Sequence, residues 1–244
     1  MASFVRLTLT EARLFLREPM SVVLGVVFPA GLLLMLGAIL ILRTPAEQFD
    51  GQRFVDLFAP SALVLGIGVV ALQHIPNVIA GYREQGILRR LSTTPVHPGK
   101  LLLAQLLVAL AAVVVSAGLL ISAAWLVLDV PPPQHLLGFT VAWLVGFGAV
   151  LAIGTLIAAV APSQRTATGV STLVYLVAMF AGGVFLPRFL MPKPLAQLGE
   201  ITPPGVQALL DAWGGRAPAL LPLGIMAVIA VAAAAMAAKL FRWE

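Results

Sequence analysis

Tyr82–Lys100 reads YREQGILRRLSTTPVHPGK, a basic segment with helical patterning set between two long runs that carry no charge. Leu57 to Gly81 before it and Leu101 to Leu128 after it contain no Asp, Glu, Lys or Arg. Each run exceeds the roughly 20 residues that a helix needs to cross about 30 Å of hydrocarbon at 1.5 Å per residue. The segment is therefore a water-facing connection between two membrane-crossing helices, and the fold class expected is an all-α integral membrane protein.

Composition agrees. Of 244 residues, 60% are hydrophobic and 10% charged, with a mean hydropathy of +1.03. That is more apolar surface than a soluble core of this length can enclose, so the bilayer has to act as solvent. The 15 Lys and Arg outnumber the 10 Asp and Glu without forming a basic run, which fits anchoring at an anionic membrane face and not nucleic-acid binding. With no cysteine there is no disulfide, thiolate nucleophile or Cys-ligated metal.

Working outward, Arg6, Thr10, Arg13 and Arg17 share one helical stripe and Val5, Leu9, Ala12 and Leu16 a neighbouring apolar one. Residues 1–18 read as a helix lying in the headgroup region. A cleaved leader is the competing reading, but the apolar run that follows is too long and lacks a small-x-small cleavage site. Pro19 ends this helix, and the spans expected are about 19–42, 57–81, 101–128, 136–161, 169–186 and 218–238, six in one domain of residues 1–244. Residues 187–217 are apolar yet cut by prolines into pieces too short to cross, so they are expected to dip part-way into the outer leaflet as re-entrant half-helices held against other protein.

Orientation follows from the distribution of basic residues. With the N-terminus in the cytoplasm, Arg6, Arg13, Arg17, Arg83, Arg89, Arg90, Lys100, Arg165, Lys239 and Arg242 are inside, against Arg43, Arg53, Arg188, Lys193 and Arg216 outside. The positive-inside rule thus places both termini and the 82–100 segment on the cytoplasmic side of the cell membrane. All Asp, Glu, Lys and Arg fall between the six spans, which disfavours a proton- or ion-coupled carrier.

Several patterns invite functional readings. Gly81 and Gly86 have phosphate-loop spacing, but Ile87 and Leu88 stand where Lys and Ser or Thr would contact phosphate and magnesium, so no nucleotide site is expected. Gly66, Gly68 and Ala71 imitate a dinucleotide fingerprint inside an uncharged span, where close helix packing is the better reading. Gly146, Gly148 and Gly154 also suggest close packing, and for Ala230, Ala234 and Ala238 packing competes with simple alanine bias. Gln73, His74 and Asn77 form the most polar intramembrane cluster. They could line a pathway or gate, or supply interhelical hydrogen bonds. No HExxH or Ser–His constellation accompanies His74, and His97 and His135 lie in different loops. Hydrolysis and metal catalysis are therefore unsupported, and no metal or cofactor is expected on this chain.

In the 82–100 segment, Ile87, Leu88 and Leu91 make an apolar edge and Arg83, Arg89 and Arg90 supply charge, before Thr93-Thr94-Pro95 stops the helix and Pro98-Gly99 turns the chain. Arg83-Glu84-x-Gly86-x-Leu88-x-x-Leu91-x-x-Thr94-Pro95-Val96 resembles the Glu-x-Gly-x-Leu-x-x-Leu-x-x-(Thr/Ser)-Pro signature of the permease subunits of type-2 ABC exporters, of the daunorubicin-resistance and lipid or polysaccharide export kind. Ile87 stands where that family usually has Thr. Gly182-Gly183-Val184-Phe185-Leu186-Pro187 and the proline-broken loop after it are similar to the end of span five in these permeases.

The resemblance implies a coupling helix seated in a cleft of a separate ABC ATPase subunit. Glu84, Gly86, Leu88, Leu91 and Pro95 match the motif, Arg83 just before it is counted with the coupling residues, and Arg89 and Arg90 are added on charge alone as partners for acidic residues of the ATPase. It further implies a second permease subunit, identical or related, and ATP and magnesium bound on the ATPase and not here. The uncharged spans favour a hydrophobic or amphiphilic cargo such as a drug or lipid, and 2 Tyr with 4 Trp provide little for an aromatic polysaccharide channel. The competing expectation is a non-transporting signalling or assembly protein that recruits a cytosolic partner through the basic helix.

Overall fold

A computed structural model describes residues 2–49, 51–92, 99–185 and 191–241, and every regular element among them is helical. In chain order these are α1 (Ala2–Leu16), α2 (Pro19–Gly37), α3 (Phe54–Glu84), α4 (Ile87–Ser92), α5 (Gly99–Leu128), α6 (Leu136–Val160), α7 (Gln164–Ala181), α8 (Lys193–Ile201), α9 (Val206–Trp213) and α10 (Leu220–Leu240). Among the described residues α2, α3, α5, α6 and α10 are long and apolar enough to cross a membrane. The chain is a multi-pass membrane protein.

The segment expected as a span over 169–186 is α7, 18 residues long and less apolar because it opens on Gln164, Arg165, Thr166 and Thr168. It nevertheless runs between the two ends of the bundle. Its first residue contacts Glu84 beside α1, and its last, Ala181, packs on Gly199 of α8 at the opposite end. The expected span 19–42 is shorter in fact, since α2 stops at Gly37 and Leu40–Arg43 form a separate 3-10 turn. The expected span 57–81 is longer and absorbs Tyr82–Glu84. Gly86, in the left-handed region at φ +67°, breaks that helix before α4 begins.

α3 is the central helix: 78% of its apolar window is buried, against 22% for α10. Both α2 and α3 contain a π turn, Val23–Val27 and Val69–His74, each ending just before a proline, Pro29 or Pro76. Proline lacks the N–H that would bond the carbonyl four residues back, so the widened turn absorbs a ladder already missing a donor. The two π turns face one another, and a Cβ on Gly25 would lie 2.8 Å from the Val70 side chain.

Glycine sets how closely α3 and its neighbours approach. A Cβ on Gly66 would lie 2.7 Å from the Gly25 carbonyl, and one on Gly154 of α6 would lie 2.0 Å from the Ala71 carbonyl. The Gly66/Gly68/Ala71 pattern is therefore a packing surface. Gly148 differs from its expected role and faces open space. On α10 the buried stripe is Leu223, Met226, Ala233 and Ala237, while Ala234 and Ala238 are exposed; the actual stripe is offset by one residue from the expected one.

At the end opposite α1, the C-terminal carbonyls of α5 are capped by arginines. Arg43 donates to the Val127 carbonyl, and Arg53 donates to those of Leu128 and Asp129 while pairing with Asp56 at 2.7 Å. Both charges suit the negative end of the α5 dipole. α8 and α9 cover the same end, where the Trp213 indole donates to the Pro131 carbonyl. Between them the chain goes deep. The Pro204 carbonyl would meet a Cβ on Gly146, ten residues into α6 and hence about 15 Å along it.

Candidate functional site

Two features meet at the end of the bundle that holds α1. One is a polar cavity of about 260 Å³, and the other is the turn joining α6 to α7, on which the end of α3 rests.

The cavity forms because α1 presents different faces inward and outward. Val5, Leu9 and Leu16 are exposed on the outside of the protein, as are Arg6, Arg13 and Arg17, while Glu11 and Phe15 turn into the bundle and are 5% and 6% exposed. The expected apolar stripe is thus the one left for lipid, and the bundle-facing stripe carries a carboxylate. Glu11 accepts hydrogen bonds from the Tyr82 hydroxyl at 2.8 Å and from the Gln105 amide. Burial pushes its carboxyl above the ordinary carboxylate range, partly offset by the Tyr82 bond and by His74 nearby.

At the α1–α2 junction Glu18 lies 2.9 Å from His74 Nδ1, and the Ser21 hydroxyl lies 3.1 Å from the same nitrogen. The hydrogen bond from His74 holds Glu18 below the usual carboxylate range against the opposing effect of burial. Phe15 meets the His74 ring edge-on at 4.9 Å. The cavity is closed on its other side by Asn77, Val78, Gly81, Gln85 and Gln164.

The expected cluster of Gln73, His74 and Asn77 is divided by this geometry. His74 faces α1 and α2, whereas Asn77 donates to the Gln73 carbonyl at 2.6 Å and its own carbonyl oxygen meets the Thr168 hydroxyl of α7 at 2.6 Å. His74 and Asn77 both line the cavity, and the Gln73 side chain does not. Glu11, Glu18, Tyr82, Gln105 and Gln164 were not singled out from the sequence. A usable signal existed: Glu11 and Glu18 are the only acids before Glu47, in an otherwise basic stretch.

The residues expected to couple to an ATPase fall into two groups. Arg83 and Glu84 are engaged with their own chain. The Arg83 guanidinium donates to the carbonyls of Ala158 at 2.6 Å and Ala161 at 2.8 Å, closing the C-terminus of α6, and lies over the Phe241 ring. The Glu84 carboxylate accepts the Gln164 N–H at 2.8 Å, at the first turn of α7, where Ser163 caps Thr166. Adjacent side chains of opposite charge thus satisfy the negative end of one helix and the positive end of the next. Gly81, expected to lack phosphate-loop chemistry, is helical and packs on Gln164.

The second group belongs to α4 and its surroundings. Leu88 is 3% exposed and packs toward Ile79, Leu101, Leu102 and Phe241, whereas Arg89 and Arg90 are exposed on the outer face. A Cβ on Gly86 would meet nothing within 4 Å. Leu91 lies in α4, and Pro95 lies outside the described residues.

Residues 2–204 match the family described as ABC-2 type transporter. The chain belongs to that family. No curated protein and no solved structure matched it. An ABC-2 type transporter domain is the membrane permease of an ABC transporter, and family membership implies an ABC ATPase as partner. In an ABC-2 chain the Glu84-x-Gly86-x-Leu88 motif therefore sits on an elbow whose first half grips the α6–α7 turn and whose second half is a short helix with two exposed arginines.

Proposed function

We propose that this chain is the membrane half of an ATP-driven exporter that moves a hydrophobic or amphiphilic cargo, such as a drug or lipid, out of the cytoplasm or inner leaflet. In this reading both termini, α1 and α4 face the cytoplasm across the cell's inner membrane. α7 makes a sixth crossing, supported by its run between the two bundle ends, and the Pro203–Pro204 loop with α8 and α9 forms a re-entrant element at the exit, supported by its depth along α6. A second permease subunit completes the pathway. ATP and magnesium are held by the ATPase pair, not by this chain.

The observation that carries the reading is the elbow at Arg83–Arg90. Leu88 fastens α4 to the bundle while Arg89 and Arg90 face outward, and Arg83 and Glu84 tie the end of α3 to the α6–α7 turn. Force applied to α4 by a closing ATPase pair then reaches α3, α6 and α7 together, as a rigid-body tilt between inward- and outward-facing states. Arg89 and Arg90 contact acidic residues of the ATPase, and Gly86, Leu91 and Pro95 belong to the motif that docks.

The test uses the chain co-expressed with the ABC ATPase encoded beside its gene, in inside-out vesicles. ATP-dependent uptake of a fluorescent phospholipid or a lipophilic dye is expected. Gly86→Pro should abolish it while the two subunits still co-purify, because proline cannot take φ +67° and would remove the Gly86 N–H bond to Arg83. Stable assembly with no ATP-dependent flux of any amphiphile would overturn the exporter reading in favour of an assembly or signalling role.

A further inference from the structure

The cavity beneath α1 is lined by two carboxylates, a histidine and neutral amides. Glu11 and Glu18 contribute carboxylates, and Asn77, Gln85, Gln105 and Gln164 contribute neutral amides. Among the described residues no Lys or Arg lines it: the nearby Arg83 points to the Ala158 and Ala161 carbonyls, and Arg13 and Arg17 are exposed. Among the described residues His74 is the one basic group on its wall, and it is already bonded to Glu18.

Glu11 is the anomaly that asks for an explanation. It is 5% exposed, yet its partners are the neutral donors Tyr82 and Gln105, with no Lys or Arg. Among the described residues the nearest basic group is His74, which is already bonded to Glu18, and a buried carboxylate that borders a cavity without a cation bonded to it is costly to keep ionised unless one joins it.

The cavity's position selects among cations. It lies where α1 meets the bundle, with Leu14, Phe15 and Val78 on its wall beside the polar groups. The outer face of α1 carries the exposed apolar side chains Val5, Leu9 and Leu16. A charged head can enter while its tail stays against apolar surface. Phe15 and Tyr82 add aromatic rings to the wall, and aromatic rings attract ammonium groups. A metal ion fits less well, since the two carboxylates are held apart by separate partners, Glu11 by Tyr82 and Gln105, and Glu18 by His74.

We propose that this cavity is a binding site for the ammonium headgroup of an amphiphile, with Glu11 and Glu18 as its anionic contacts. The assignment names the chemical class of amphiphile, and its role as cargo entry rests on the exporter reading. The binding itself does not.

Native mass spectrometry of the chain released from dodecyl maltoside micelles tests it without ATPase or flux, so a failed transport assay and a failed binding assay remain distinguishable. The probes are dodecyltrimethylammonium, phosphatidylethanolamine, phosphatidylglycerol and dodecyl sulfate. One ammonium-bearing molecule should bind, and Glu11→Gln or Glu18→Gln should weaken it at least roughly tenfold, the loss expected when one close opposite charge is removed from a partly desolvated site. Glu18 is at the surface, so its variant keeps the test valid if the Glu11 variant fails to fold.

Binding of phosphatidylethanolamine identifies a lipid source, and binding of dodecyltrimethylammonium alone identifies a non-lipid cation; either supports the site. Equal binding of dodecyl sulfate, or wild-type affinity in both variants, would overturn it. Displacement by tetramethylammonium at concentrations similar to the amphiphile's would overturn the amphiphile assignment, since no tail would then be needed.

Discussion

Glu84 accepts a hydrogen bond from the Gln164 backbone N–H at 2.8 Å, so the last residue of α3 caps the first turn of α7. In the proposed exporter, this bond would link the coupling motif to the α6–α7 turn. Glu84→Ala removes this cap and leaves the α7 N–H to water. A helix cap contributes about 1 kcal/mol, and the exposed position keeps the loss near or below that. The thermal midpoint of the purified chain should fall modestly, while ATP-driven flux with the partner ATPase falls much further. A flux loss no larger than the stability loss explains would show that the bond does not transmit force.

Arg83 satisfies two carbonyls with one planar group, Nη1 to Ala161 and Nη2 to Ala158. Lysine has a single ammonium and cannot reproduce the fork. Arg83→Ala should cost about 2 kcal/mol, in the range for hydrogen bonds from a charged donor, with Arg83→Lys recovering only part of it. Chemical denaturation of the detergent-solubilised chain reads the order wild type, Lys, Ala. Equal stability of the Lys variant and wild type would mean that only the charge matters, through the α6 dipole.

Spans were readable because long uncharged runs have one physical solution, a helix that satisfies its own backbone in lipid. The reading was least accurate at their ends. Arg53 with Asp56 starts α3 early, and the Leu40–Arg43 turn ends α2 early, both through contacts with the distant α5 C-terminus. The cavity was only half visible. His74 and Asn77 stood out as polar residues in an apolar run, but Glu11 reaches Tyr82 across 71 positions and Gln105 across 94. Helical periodicity within α1 reports a face, not what will cover it. Nor does Arg83-Glu84 announce in sequence that its charges are taken up by its own chain, because the helix ends it satisfies arrive from the Ala158–Gln164 turn.

Gly154 and Gly148 offer a paired test of the packing. A methyl on Gly154 would sit 2.0 Å from the Ala71 carbonyl, a backbone atom that can move only if α6 and α3 separate, whereas Gly148 faces open space. Gly154→Ala should destabilise by about 1–3 kcal/mol or more, as overpacking does, and reduce the yield of monodisperse protein. Gly148→Ala should be neutral or slightly stabilising, since alanine favours helix. Equal behaviour of the two variants in thermal melts would refute the close α3–α6 contact.

The raised pKa of Glu11 fixes a direction for pH dependence. A carboxyl whose folded value lies above its unfolded one binds its proton more tightly in the fold, so its contribution is fully present below the unfolded value and is lost as pH rises through the folded one. Glu18 has the opposite sign: its lowered value gives stability above the unfolded pKa that disappears as pH falls through the folded one. Glu11→Gln mimics the protonated acid in shape and removes only the first effect. Wild type and Glu11→Gln should therefore melt together near pH 4, and the variant should melt higher as pH approaches 7, in detergent free of ammonium amphiphiles. Adding dodecyltrimethylammonium should narrow the gap by stabilising wild type alone, since only the ionised carboxylate gains a counter-charge. A gap that is constant across the pH range would show that Glu11 is fully solvated and that its burial against Tyr82 and Gln105 does not govern its ionisation.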